Sequence, residues 1–167
     1  AEHPSVATTY ASFGLAYANK GEYDKALEYY EKNLAIGLKT LGAEHPSVAS
    51  SYNNIGLAFF NKGEYDKALE YYEKSLAIDL KTLGAEHPGV GTIYVNIGLA
   101  YSNKGEYDKA LEYYEKSLAI YLKTLGAEHP GVGATYNNIG LAYNYKGEYD
   151  KALEYYEKCL PIQKKVH

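Results

Sequence analysis

Lys20-Gly21-Glu22-Tyr23-Asp24-Lys25-Ala26-Leu27-Glu28-Tyr29-Tyr30-Glu31-Lys32 recurs without a change at residues 62–74, 104–116 and 146–158. The interval is 42 residues each time, which divides the chain into units 1–42, 43–84, 85–126 and a shorter 127–167. Self-similarity at a period of about 20–50 residues marks a stack of supersecondary units, not a globule around one centre.

Outward from that stretch, each unit reads as two helices. Ahead of it in the second unit stand Tyr52, Ile55, Gly56 and Phe59, whose apolar members recur at the spacing of one helical face. Gly56 occupies a place where a helix prefers Ala, so its use is to admit a neighbouring helix closely. Gly63 ends this helix, and Asp66 is positioned to cap the next with its carboxylate. The second helix then carries an apolar seam of Ala68, Leu69, Tyr72, Ser75, Leu76, Leu80 and Leu83. Glu70 and Lys74 form an exposed i, i+4 pair in the favourable order. The adjoining tyrosines, such as Tyr71 and Tyr72, read as one outer-face and one core residue.

These anchors resemble the tetratricopeptide repeat (TPR): aromatic-x-x-Leu-Gly-x-x-Tyr, then Gly-x-Tyr, Ala and an aromatic. Tyr52, Ile55, Gly56, Phe59, Gly63, Tyr65, Ala68 and Tyr72 fill these places in the second unit, with equivalents in the other three. Two departures point to the longer variant found in kinesin light chains. The period is 42 residues instead of ~34, and the usual terminal Pro is replaced by Leu38, Leu80 and Leu122, followed by Lys-Thr-Leu-Gly-Ala-Glu-His-Pro. The resemblance implies an all-α, right-handed superhelical solenoid of four helix-turn-helix repeats. Its second helices should run about 17–18 residues, roughly 26 Å at the helical rise, with Gly42, Gly84 and Gly126 as left-handed C-terminal caps. Leu38 and Leu41 should pack between units.

Composition reads as a soluble, folded, intracellular (cytoplasmic) protein: 46% hydrophobic and 23% charged residues, net charge −4 and no apolar run near the ~18 residues of a membrane span. The single Cys159 excludes a disulfide framework. It stands where the other units have Asn33, Ser75 and Ser117, as a small packing residue rather than a reactive thiol. His3, His45, His87 and His129 repeat with the period, but equivalent points of stacked helices lie at least about 8–10 Å apart. Zinc needs each imidazole at about 2 Å, so no metal site is expected, and these residues read as polar turn positions before Pro. No cofactor or catalytic constellation is expected either, since Ser, His and Asp recur in every unit instead of meeting once. Nucleic acid is an improbable partner, because all 17 basic residues are Lys and alternate with Glu and Asp.

The units differ mainly in their first helices. Pro4 suits a first helical turn. The first unit carries Ala11, Ser12 and the bulkier Phe13. The third has Ile93 and Val95, with Gly89 and Gly91 loosening its start. The fourth places Tyr145 where the others have Asn, and Pro161 where they have Ala35, Ala77 and Ala119. A proline there should kink or stop the last helix.

In TPR arrays the first helices line a concave groove for peptides, so the resemblance implies a site made of Asn53, Asn54, Leu57, Phe60 and Asn61, then Val95, Asn96, Leu99, Ser102 and Asn103, then Asn137, Asn138, Leu141, Asn144 and Tyr145. The first unit adds Ala11, Leu15, Ala18 and Asn19. A constant scaffold with a variable binding face would show this distribution of differences, as would relaxed drift on a surface. Relatives that clamp carboxylates or acidic motifs use Lys and Arg here, whereas this chain has Ala11, Leu15, Asn54, Thr92 and Asn96. The expected ligand is therefore a neutral, partly apolar peptide segment, its backbone met by Asn side chains.

The reading is a protein-binding scaffold without catalysis. Two others stand beside it: a spacer or self-associating rod, and a regulator whose catalytic domain lies elsewhere. The absence of a start Met, with both ends near unit boundaries, suggests a piece excised from a longer array. Such a piece should expose the seam of Leu153, Tyr156, Leu160 and Ile162 at one end and the helix of Val6, Tyr10 and Phe13 at the other. End-to-end self-association is then expected.

Overall fold

A computed structural model describes residues 4–166. Among them are eight helices and no strand: α1 (Pro4–Asn19), α2 (Tyr23–Thr40), α3 (Pro46–Asn61), α4 (Tyr65–Thr82), α5 (Pro88–Asn103), α6 (Tyr107–Thr124), α7 (Pro130–Tyr145) and α8 (Tyr149–Val166). Each unit of the sequence is one helix-turn-helix repeat, and the fold is an all-α solenoid of such repeats. The repeats group into two compact units, residues 1–82 with α1–α4 and residues 83–167 with α5–α8.

The turns follow from a few residues. At the start of α3, His45 accepts the Ser47 backbone N–H on Nδ1 at 3.0 Å, with Pro46 in the first turn. His87 and His129 do the same for Gly89 and Gly131, each at 2.9 Å. The repeating histidine is thus a helix N-cap, a role its position before Pro had left unstated; His3 lies outside the described residues. At the other end of α3, Gly63 takes φ +83°. Its N–H donates to Phe60 O and the Glu64 N–H to Phe59 O, both at 2.9 Å. This paired return of N–H groups to the last turn is a Schellman motif.

That motif corrects the expected aspartate cap. The connection from α1 to α2 is only Lys20-Gly21-Glu22, and Glu22 both closes the first helix and stands as N-cap of the second, without a side-chain cap bond. Asp24 therefore falls inside the first turn of α2, as Asp66 does in α4, where a carboxylate complements the positive helix end.

Within each repeat the first helix meets the second through a glycine. A Cβ on Gly56 would lie 2.7 Å from Cδ1 of Tyr72, and one on Gly98 would lie 2.5 Å from Cε1 of Tyr114. Tyr72 and Tyr114 are fully buried, and burial holds both phenols above their usual range. Their neighbours are not outer-face residues. Tyr71 is half-buried and stacks on Phe59 at 5.6 Å between centroids, with Lys74 Nζ 4.9 Å above its ring. Lys74 also keeps the expected pair with Glu70, at 3.9 Å.

The second helices run 18 residues, as the longer repeat implied. Leu41 is the C-cap of α2, and Gly42 follows at φ +91°. The distal seam, however, is not the expected one. Ile36 is 8% exposed while Leu38 and Leu41 are 39% and 47% exposed, so the most buried residue of this stretch is the isoleucine, although Leu125, at the repeat position of Leu41, packs against Val132 and Ile162 of the following repeat. In the second repeat Ile78 is likewise buried, while Leu80 of α4 and Leu83 just beyond it are 38% and 40% exposed. Two residues are about 200° apart around a helix, so the side that closes on Ile78 turns Leu80 away. Pro161 does not stop α8, which continues to Val166. Its ring is on an exposed stretch, where the carbonyl that loses its bond can be hydrated. Cys159 is buried, and burial raises its thiol above the usual range, as a packing residue requires.

Candidate peptide-binding face

Where one repeat meets the next within a unit, the joint is ionic at its rim. Lys62 reaches back to Asp24 at 2.6 Å and to Glu64 of its own turn at 2.9 Å. Lys146 does the same to Asp108 at 2.5 Å and Glu148 at 3.0 Å. The bonded carboxylates hold both ammonium groups above the usual lysine range, with Asp24 and Asp108 the larger influences. Beside each lysine is an open notch, of about 370 Å³ along Gly21–Lys25 and about 360 Å³ along Gly105–Lys109. Their walls carry paired charges of both signs, so neither presents a net charge for a ligand.

The first helices present a different surface. In the first unit Leu15 of α1 and Leu57 of α3 are exposed, with Asn19 and Asn61 exposed one turn further on. Asn53 and Asn54 are half-buried beside Leu57. Phe60 sets its ring edge against Tyr65 at 5.3 Å, so only part of it faces solvent. In the second unit Leu141 and Asn144 of α7 are exposed, and Asn137 and Asn138 are half-buried. Tyr145 is 63% exposed and lies flat on Tyr107 at 5.5 Å. Tyr107 is a residue that reading the first helices alone missed. The one signal for it was the lone aromatic at the Tyr145 position.

Other expected site residues take part in packing. Leu99 is half-buried against the cluster of Leu111, Tyr114 and Ile139, and Val95 against that of Tyr121 and Val132. Asn96 and Ser102 are half-buried, and Asn103 is exposed at the end of α5. Ser102 hydrogen-bonds Tyr114. Part of the variation among first helices also belongs to the interior. Gly91 leaves room for the Tyr121 ring, since a Cβ there would lie 2.8 Å from Cε1, and Thr92 Oγ1 is 2.7 Å from the Tyr121 hydroxyl. Ile93 is buried as well. Gly91 and Thr92 thus accompany one large residue in α6, Tyr121. No cluster of His, Cys, Asp and Glu able to hold a metal occurs among the described residues, and no described helix is long and apolar enough to cross a membrane.

Comparison with known proteins accounts for this geometry. The chain matches the tetratricopeptide repeat family over residues 5–81, 53–123 and 89–165. No curated protein sequence matches it. Among solved structures it is similar to the nearly identical TPR-like repeats of a Podosopora anserina protein described as a kinesin light chain, at 34% identity and TM-score 0.84, covering 100% of this chain and 79% of that one. It is also similar to BtubC (BKLC) from P. vanneervenii, at 26% identity and TM-score 0.89 over 99% of this chain and 66% of that one. MamA follows at 28% identity and TM-score 0.71, over 96% and 80% of the two chains. With its helix pairs, its glycine-tyrosine contacts and a family match running from residue 5 to residue 165, the chain belongs to the tetratricopeptide repeat family and is similar to its kinesin light chain-like members.

Proposed function

We propose that this protein is an interaction scaffold whose first helices hold a neutral, partly apolar peptide segment. TPR proteins generally mediate protein–protein interaction, and the reading adds a ligand class and no catalytic step. The observation that carries it is the exposure of Leu15, Leu57, Leu141 and Tyr145 on first helices whose nearby polar side chains are Asn and not Lys. Exposed apolar side chains beside amides that both donate and accept suit an uncharged peptide backbone with apolar side chains. Asn54, Asn96 and Asn138 are the proposed backbone contacts. A cytoplasmic setting belongs to the same proposal and rests on the single, buried thiol of Cys159.

Selection from a random displayed peptide library tests this reading. Enriched peptides should be poor in Asp and Glu and should bind with little salt dependence. Binding should fall at least about tenfold, some 1.4 kcal/mol, on Leu57→Glu with Leu141→Glu, and also on triple replacement of Asn54, Asn96 and Asn138 by Ala. Enrichment of acidic, salt-sensitive peptides would overturn the proposed ligand class. Undiminished binding by both variants would overturn the proposed face.

A further inference from the structure

We infer that the peptide-binding face proposed above, on which this inference rests, has at the end of α7 an aromatic seat for a proline-containing segment in the polyproline II conformation. Tyr145 and Tyr107 form the seat. They come from successive repeats, with ring centroids 5.5 Å apart and planes 15° from parallel. Tyr107 is half-buried and Tyr145 is 63% exposed, so stacking on one ring fixes the other while most of it stays in solvent. A ligand that lands there need not order the side chain first. Leu141, four residues earlier and so on the same side of α7, is exposed too and joins the seat to the rest of the face. The exposure does not come from the end of the sequence. Tyr145 lies on the preceding repeat, and Asn103, at the same repeat position, is exposed although α7 and α8 follow it.

The chemistry around the two rings selects the occupant. The notch of about 360 Å³ that Tyr107 lines is walled by Glu106, Asp108, Lys109 and Lys146. Its carboxylates are already engaged, Asp108 with Lys146 at 2.5 Å and Glu106 with Lys104 at 3.0 Å and Lys109 at 3.6 Å. A charged ligand would have to disturb these pairs, and a backbone N–H would compete with ammonium groups for the same oxygens. Phenol hydroxyls and ammonium groups, in contrast, donate to carbonyls. A polyproline II segment meets both conditions: its prolines have no N–H, and its carbonyls make no bonds within the segment. Its shape is set before binding, and aromatic surfaces take such segments by contact with the proline rings. The first unit supplies the comparison. Its notch of about 370 Å³ has Tyr23 at the place of Tyr107 and Asp24 bonded to Lys62 at 2.6 Å, but Asn61 where the second unit has Tyr145. That exchange separates a notch with an aromatic seat from one without.

Isothermal titration calorimetry with an octaproline peptide blocked at both ends tests the seat, with a Gly-Ser peptide of equal length as the neutral control that carries N–H groups. Octaproline should bind the parent chain and the Gly-Ser peptide should not. Tyr145→Asn installs the residue that the other three repeats carry at this position. It should fold as the parent does and bind octaproline at least about tenfold more weakly, as loss of an aromatic anchor does. Asn61→Tyr, which places a second ring beside Tyr23, should add a second octaproline site per chain. A parent that ignores octaproline, equal binding of the two peptides, undiminished binding by Tyr145→Asn, or no added site in Asn61→Tyr would each overturn the inference. The peptide face is judged separately: library peptides that lose affinity on Leu57→Glu with Leu141→Glu would leave it standing even where octaproline fails to bind.

Discussion

Two residues of the third repeat show opposite relations between side-chain size and stability. Gly98 lies against Tyr114 with no space for a methyl group, 2.5 Å from an added Cβ to Cε1. The Tyr114 ring is buried and cannot swing into solvent. Gly98→Ala should therefore destabilise by about 1–3 kcal/mol through overpacking, against the few tenths to 1 kcal/mol that Ala gains over Gly in an open helix. Ser117 is also fully buried, and its hydroxyl has no hydrogen-bond partner. An unsatisfied buried polar group costs about 1–3 kcal/mol, so Ser117→Ala should leave stability unchanged or raise it. The fourth repeat already carries the less polar Cys159 at this place. Urea unfolding followed by far-UV circular dichroism gives both signs in one experiment. A Gly98→Ala chain as stable as the parent, or a clear loss on Ser117→Ala, would contradict the packing described above.

At the scale of the helix, the question is what sets its ends. His45, His87 and His129 each take one backbone N–H that the first turn cannot satisfy internally. Replacing one such cap with Ala should cost about 0.5–2 kcal/mol, while Asp or Asn should keep most of that stability. Equal unfolding midpoints for His87→Ala, His87→Asn and the parent would show that the Nδ1 contact contributes nothing. The existence and length of the helices were legible in the sequence, because Gly63, Pro46 and the aromatic spacing are local signals. What was not legible depended on the neighbouring turn or on the next helix. Asp66 looked like a cap until the short Schellman turn assigned that place to Glu64's position in the repeat. Leu80 looked like core because apolar spacing cannot say which border of a broad apolar face is covered. The proposed peptide face has the same limit: Leu57 and Leu141 are exposed as expected, but Leu99 is half withdrawn into packing and Tyr145 rests on Tyr107.

Across the whole molecule, exact repetition multiplies one weak electrostatic device by four. Glu22, Glu64, Glu106 and Glu148 each hydrogen-bond the lysine two residues earlier, at 3.0, 2.9, 3.0 and 3.0 Å. That bond is the largest cause holding each carboxyl below the usual 4.5. A carboxylate whose folded value is depressed stabilises the fold above its unfolded value and loses that contribution as pH falls through the folded one. All four sites are exposed enough for solvent and salt to screen them, so each contribution is small. Their common sign makes the sum measurable. A quadruple Glu→Gln variant at these positions should be less stable than the parent at pH 7 in dilute buffer. The gap should close as pH falls below about 4.5, and it should shrink at pH 7 in ~1 M salt, where the screening length is about 3 Å. Paired urea titrations of parent and variant at pH 7 and pH 3, with and without salt, isolate the four pairs from every other titrating group. A gap that persists unchanged at pH 3 would mean that the glutamates act through packing and not through charge.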